Sequence, residues 1–250
     1  MKKIMLFVGL CVAFVGVAVS DDKTTTEMSY DKVYNYIVRA GLRGWIAECP
    51  FPRLLGRCNN DSNRLCRVAC DVFRTHSDMC VQNAALRILL DYGDAQQIPF
   101  LESCVTNVWH GRTAIRILNR IEGFSSNSVA RVARFHAAAT RELAAVDPGV
   151  HSEKSGAIDD MALVASRPSV GTDLKNFVVD YVYTVASNDC SHIWPADNAL
   201  MKIDPTFRNS KRRLALLRYV QPRASGRFCP QYLADEIQKL EAYPEANLPE

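Results

Sequence analysis

The sequence predicts an all-α protein built of stacked antiparallel helical hairpins stapled by disulfides. Three observations carry that expectation. Apolar residues recur at three-four spacing in most segments after Ser29, no strand-like alternation of comparable length appears, and eight cysteines, an even number, remain once an amino-terminal leader is set aside.

The leader comes first. Lys2 and Lys3 form a charged start, Ile4 to Val19 is apolar, and Ala18 and Ser20 are the small residues a signal peptidase prefers. Residues 1–20 therefore read as a secretory signal peptide, and the destination as secreted or periplasmic. The run is short for a membrane crossing, which needs about 20 apolar residues, and no later stretch is apolar for long enough to span. Cys11 follows Leu10, where a lipid-modified cysteine would need a small residue. Its removal takes the nine cysteines to eight: Cys49, Cys58, Cys66, Cys70, Cys80, Cys104, Cys190 and Cys229. In an oxidising compartment an even set reads as a disulfide framework. The remaining chain of about 230 residues can bury a large core without staples, so bridges would reinforce the fold and not create it. Of 30 basic and 27 acidic residues the leader carries Lys2 and Lys3, which leaves 28 against 27. That balance argues against a dedicated nucleic-acid binder.

Ser29 is an expected helix cap, Tyr30, Val33, Tyr34, Ile37 and Val38 form one apolar face, and Gly41 is an expected stop. Cys49 to Asn63 is irregular, with Pro50, Pro52, Gly56 and an Asn-Asn-Asp turn. Helical pattern resumes near Arg64. From Ser77 to Val105, Val81, Ala84, Ala85, Ile88 and Tyr92 keep helical spacing, as do Ile98, Leu101 and Val105 after a Tyr-Gly-Asp-Ala turn. Two helices of about twelve residues joined so tightly must run antiparallel, which would bring Cys80 and Cys104 together across the open end. Closing that loop would stabilise the fold by roughly 3.5 kcal/mol.

The theme recurs. Ala114-Ile115-Arg116-Ile117-Leu118 echoes Ala85-Leu86-Arg87-Ile88-Leu89 at an offset of 29, and Val129, Val132, His136, Ala139, Leu143 and Val146 continue the helical spacing after a turn. Leu214 to Tyr219 is a weaker echo. Asp147 to Val170, rich in Gly, Ser, Pro and Asp, reads as a break with at most one short helix. Thr172 to Ala186 is strongly helical, and Pro195 to Met201, Ser210 to Val220 and Pro230 to Tyr243 are the last expected helices. The organisation is thus a leader over 1–20, a cysteine-rich helical-hairpin region over 21–147, a linker-like break over 148–170, and a helical region over 171–250 packed on the first.

Paired helices recurring at about thirty residues resemble HEAT-type repeats, especially their short form, over roughly Ser77 to Val146 with a return near Asn209 to Leu240. The chain departs from that pattern in having no proline inside the first helix of each pair and no regular Asp and Arg ladder. The resemblance implies an α-solenoid with a concave surface for a protein or peptide partner. An irregular helical bundle is the alternative architecture.

Chemistry-bearing patterns are sparse. Cys66-x3-Cys70-x5-His76-x3-Cys80 has ligands suited to zinc, but Cys66 and Cys70 share a helix face and an oxidising compartment favours bridges. The expected pairs are Cys80 with Cys104, Cys190 with Cys229, Cys49 with Cys70 and Cys58 with Cys66. His136 lies on an apolar helix face, which suits a core histidine better than an acid or base. Trp109-His110, and His192 with Trp194, are loop anchors or groove linings. Asp159 and Asp160 are adjacent acids, better read as a solvated loop than as a catalytic pair. No GxSxG, HExxH or GxxxxGKS motif is present. Asn60-Asp61-Ser62 fits a glycosylation acceptor, although the short Met-Lys-Lys leader reads as bacterial.

Arg208, Lys211, Arg212, Arg213, Arg218, Arg223 and Arg227 fall in one acid-free stretch that would suit an anionic polymer if the cations share a face. The expectation from sequence is therefore an exported, non-catalytic interaction module without cofactor or metal. Its partner would be a protein or peptide, and its candidate binding residues are Arg208, Lys211, Arg212, Arg213, Arg223, Trp109 and His110. An extracellular hydrolase using His136 or His110 with a carboxylate, or a binder of anionic polymer, is the alternative.

Overall fold

The computed structural model describes residues 27–43, 51–142, 148–188, 190–224 and 229–242. Among them the fold is all-α, with twelve α-helices, a few 3-10 turns and no strand. No helix of the described residues is long and apolar enough to cross a membrane. The leader lies outside the described residues.

The first four helices are α1 (Tyr30–Leu42), α2 (Phe51–Arg57), α3 (Ser62–Thr75) and α4 (Met79–Tyr92). Side-chain caps set two of their starts: Asp61 accepts from the Arg64 backbone N–H, and Asp78 accepts from those of Cys80 and Val81. Asn59 and Asn60 adopt positive φ in the turn after α2, which asparagine tolerates better than most residues. The three-residue turn between α3 and α4 sends them back antiparallel, and α1 packs across both. Gly41 does not stop α1, which runs on to Leu42. Its job is steric: a Cβ at Gly41 would stand 2.5 Å from the Val81 Cα, so the glycine is what lets α1 cross α4 backbone to backbone.

The middle of the chain comprises α5 (Ile98–Cys104), α6 (Gly111–Glu122), α7 (Ser126–Glu142) and α8 (Pro148–Ala165). The two echoed pentapeptides prove equivalent: in Ala85–Leu89 of α4 and in Ala114–Leu118 of α6 the arginine is exposed and the other four residues are buried. These helices also touch, and Arg120 of α6 donates to the carbonyls of Leu89 and Gly93. Residues 148–165, expected as a break, are helical as α8. Their buried side chains Ile158, Met161, Ala162 and Ala165 keep three-four spacing, and Gly156 lets the Arg112 guanidinium lie against the helix backbone.

The last helices are α9 (Thr172–Asn188), α10 (Ile193–Ile203), α11 (Lys211–Val220) and α12 (Cys229–Glu241). Helix α10 packs against both α8 and α9, and α11 against α9 and α12. One continuous apolar cluster extends from Val33 of α1 to Leu240 of α12.

The expected staples are corrected by this geometry. Among the described residues no two sulfurs stand at bonding distance, and Cys58, Cys66, Cys70, Cys80 and Cys104 are thiols. The Cys80–Cys104 bridge fails because the second arm of its hairpin is short. Helix α5 has seven residues, begins after a 3-10 turn at Ala95–Gln97, and packs on α6, with Cys104 in the core while Cys80 faces solvent on the first turn of α4. Cys58 and Cys66 are separately buried, and Cys70 is a thiol within α3. Its expected partner Cys49 lies outside the described residues, as does the side chain of Cys190, expected to pair with Cys229. Burial pushes the Cys66 and Cys70 thiols up to about 12.

Gly41 gives a sign test. Alanine in place of a helical glycine ordinarily stabilises by about 1 kcal/mol. Here Gly41→Ala must separate two backbones, and we expect a loss of about 1–3 kcal/mol in chemical denaturation; a gain would show that α1 and α4 do not approach this closely.

Candidate functional site

His110, His136 and His192 lie inside, whereas His76 is half-buried. On α7, His136 is buried; its Nε2 lies 3.0 Å from the Lys154 carbonyl of α8 and its Nδ1 3.3 Å from the Tyr181 hydroxyl of α9. A carbonyl can only accept, so Nε2 carries the proton and Nδ1 accepts from Tyr181. Burial pushes the Tyr181 hydroxyl well above the ordinary phenol range. His192 packs 6.2 Å away, and the buried Lys154 ammonium donates to Thr140 at 3.0 Å.

His110 is 2 % exposed and stands edge-on to Phe73 at 5.1 Å. The Gln82 amide nitrogen donates to the carbonyls of Phe73 and His76, which turns its oxygen toward His110 Nε2 at 2.8 Å. His110 therefore donates from Nε2, and its Nδ1 is buried without a hydrogen-bond partner. Burial lowers its protonation below the ordinary imidazole value.

The neighbouring tryptophans point the other way. Trp109 is 40 % exposed beside the buried His110, and Trp194 is 58 % exposed beside the buried His192. Both pairs sit at junctions between helices, α5 with α6 and α9 with α10. In each the imidazole is buried and the indole is exposed.

The adjacent acids separate as well. Asp160 pairs with Arg112 at 2.9 Å, while burial raises the Asp159 carboxyl against the pull of Lys202 and Arg112. Among the described residues no group of three His, Cys, Asp or Glu is arranged to hold a metal. The zinc-like spacing disperses into buried Cys66 and Cys70, His76 beside the Tyr34 ring, and exposed Cys80.

The cationic stretch diverges. Arg212 leans toward α9, with Asp180 at 3.4 Å and the Tyr183 ring at 5.1 Å, whereas Arg218 pairs with Glu241 of α12 at 2.8 Å. Arg223 stacks on Tyr219 at 3.8 Å and donates to the Ser187 carbonyl. Arg208 and Lys211 are exposed, and Arg227 lies outside the described residues. Arg213 turns inward and is 3 % exposed. Its guanidinium donates to Asp197 from Nε and Nη2 (Nη2–Oδ2 2.7 Å), to Glu236 Oε2 at 2.7 Å, and to the Arg208 carbonyl at 3.0 Å. Tyr232 donates to Asp197 at 2.6 Å. Burial, and then the Asp197 charge, push the Tyr232 hydroxyl well above its ordinary range. Burial also opposes ionisation of Glu236, yet hydrogen bonds from Lys239 and Arg213 outweigh it and hold that carboxyl below its usual value.

This network floors a cleft of about 520 Å³. Arg208, Arg213, Glu236 and Lys239 supply its charges, and Met201 and Leu240 its apolar surface. The local fold explains the placement. A 3-10 turn, Pro205–Asn209, returns the chain from α10; Ser210 then caps α11 by accepting from the Arg213 N–H, which puts Arg213 in the first turn beside Asp197. Arg208 and Arg213 belong to the cationic stretch conspicuous in the sequence, whereas Asp197, Tyr232, Glu236 and Lys239 lie outside it. One signal was present: Asp197 interrupts the apolar helical stripe of Ile193, Ala196 and Leu200, where an acid must find a buried cation.

No family model, curated protein or solved structure matches the chain.

Two measurements test these placements. Below an unfolded-state value near 6.5, the unfolded chain takes up a proton at position 110 that the folded protein resists. Its contribution is full above that pH and is lost as pH falls, by at most about 1.4 kcal/mol per unit. We expect lowering the pH from about 7.5 to about 5.5 to cost wild type more unfolding free energy than His110→Gln; equal losses would place the imidazole in solvent. Asp197→Ala strands a buried guanidinium and should cost about 3–5 kcal/mol, whereas Asp197→Leu with Arg213→Met should recover much of it. A small loss in the single variant would mean that the pair is solvated.

Proposed function

We propose that the chain is an exported, non-catalytic interaction module that docks a protein or peptide partner through aromatic side chains held at its helix junctions. The observation that carries this reading is the pairing of a buried histidine with an exposed tryptophan at two junctions, His110 with Trp109 and His192 with Trp194. Exposing an indole forgoes its burial energy, and large aromatic side chains that stay rigid in the free protein are the commonest anchors of interfaces. The Tyr219–Arg223 stack adds a third group of the type that interfaces concentrate, at the end of α11 where Arg223 reaches the last turn of α9. Export is supported by the sequence character of residues 1–20.

The hydrolase alternative needs a histidine and an acid in one cavity. Both ring nitrogens of His136 are engaged with Lys154 and Tyr181, and the residues lining the large cleft include no histidine. The anionic-polymer alternative needs convergent cations, and Arg212, Arg213 and Arg218 reach toward different helices.

Selection from a displayed random-peptide library against the full chain tests the proposal. Enriched peptides should bind with saturable affinity, and Trp109→Ala or Trp194→Ala should weaken them at least tenfold, about 1.4 kcal/mol, with the helical circular dichroism unchanged. Peptides that bind the double variant as well as wild type, or a selection with no enrichment, would overturn it.

A further inference from the structure

The geometry points to a binding site for a carboxylate carried on an apolar stem in the cleft between the Pro205–Asn209 turn, the start of α11 and the end of α12. It lies at the opposite end of α11 from Tyr219 and does not depend on the docking surface proposed above.

Arginine offers five N–H groups. In Arg213, Nε–H and one Nη2–H are directed to Asp197, the second Nη2–H to Glu236, and one Nη1–H to the Arg208 carbonyl. The fifth, on Nη1, has no acceptor among the described residues. This guanidinium is almost wholly buried, is fixed by three helices, and lines the cleft. A buried donor without an acceptor costs free energy that an incoming oxygen recovers.

Two more cations line the same cleft. The Arg208 side chain makes no hydrogen bond or ion pair among the described residues, and Lys239, whose ammonium is 2.5 Å from Glu236, keeps two further protons to donate. Charge selects the ligand. The lining carries Arg208, Arg213 and Lys239 against Glu236, and Asp197 behind it offsets a second cation, so one positive charge remains. A monoanion neutralises that charge; a phosphate dianion would leave an excess negative charge in a partly desolvated space. Met201 and Leu240 give an apolar wall, and the cleft lies within the size range of sites for small organic ligands. The stem therefore packs on those two side chains while the carboxylate meets Arg213 and Arg208. A free fatty acid and the carboxyl terminus of a peptide share this chemistry.

Octanoate is the probe for the first source, and a short peptide ending in leucine, as the free acid and as the amide, for the second. On titration into the full chain, octanoate should shift the NMR signals of the Met201 and Leu240 methyls and of Arg213 Nε saturably. Octanol should bind at least tenfold more weakly. Arg208→Gln with Lys239→Gln should weaken octanoate at least tenfold with the circular dichroism unchanged. If the free-acid peptide competes with octanoate and the amide does not, the site reads peptide termini; if neither competes, it reads free carboxylic acids. Equal binding of octanol and octanoate, tighter binding of octyl phosphate, unchanged affinity in the double variant, or no saturable shift from octanoate or either peptide would each overturn the assignment.

Discussion

The buried contact between Asp197 and Arg213 fixes the arrangement of the carboxy-terminal helices. Removing a carboxylate and a guanidinium from water costs several kcal/mol per ion, which their attraction offsets only when nearly every donor and acceptor is used. That demand is geometric. Asp197 must face Arg213 along Nε and Nη2 and take the Tyr232 hydroxyl as well, so α10, α11 and α12 have little freedom to rotate or slide. An apolar trio of equal volume could supply comparable stability. It would not hold a guanidinium at the floor of a cleft or keep Glu236 ionised beside it.

The amino-terminal half has a different constraint, close approach of backbones. Gly41 admits α1 against α4, and Gly111 likewise sits where a Cβ would meet the Val105 carbonyl and the Phe135 ring. Cys58, Cys66, Cys70 and Cys104 behave there as small apolar residues filling the core. Burial disfavours their thiolates, the nucleophilic form, and so makes these thiols slow to react. A chain of this length can bury enough surface to hold its fold by packing. The single cluster from Val33 to Leu240 is that packing.

These constraints explain what the sequence could reveal. Periodicity and caps are local, so α3, α4, α6, α7 and α9 were legible, and the Ala85–Leu89 echo at Ala114–Leu118 marked two positions with one burial pattern. Helix α8 was obscured by its own packing. Its Gly156 admits Arg112 and its small Ala157, Ala162 and Ala165 suit close packing, but its Pro, Gly, Ser and Asp content resembles a loop by composition. The Cys80–Cys104 symmetry misled for a related reason: spacing gives the distance of each cysteine from the turn, whereas the length of α5 and its preference for α6 are decided by tertiary contacts. The site was half legible. Arg208 and Arg213 belong to a conspicuous cationic stretch, but whether an arginine faces water or an acid depends on Asp197 and Glu236, sixteen residues before Arg213 and twenty-three after it.

In the two histidine–tryptophan pairs the polar ring is buried and the larger aromatic ring is exposed. An imidazole without a hydrogen bond is costly to bury; the Gln82 amide oxygen accepts from His110 and so ties the α5–α6 junction to α4, whereas the His192 ring meets the hydroxyl of its chain neighbour Ser191. For the docking role proposed above, a tryptophan carried at a helix junction costs less conformational entropy to order than one on a flexible loop. Trp109 and Trp194 are exposed while the adjoining His110 and His192 are buried. At the cleft, the bonds from Arg213 to Asp197, Glu236 and the Arg208 carbonyl fix the direction of the remaining N–H.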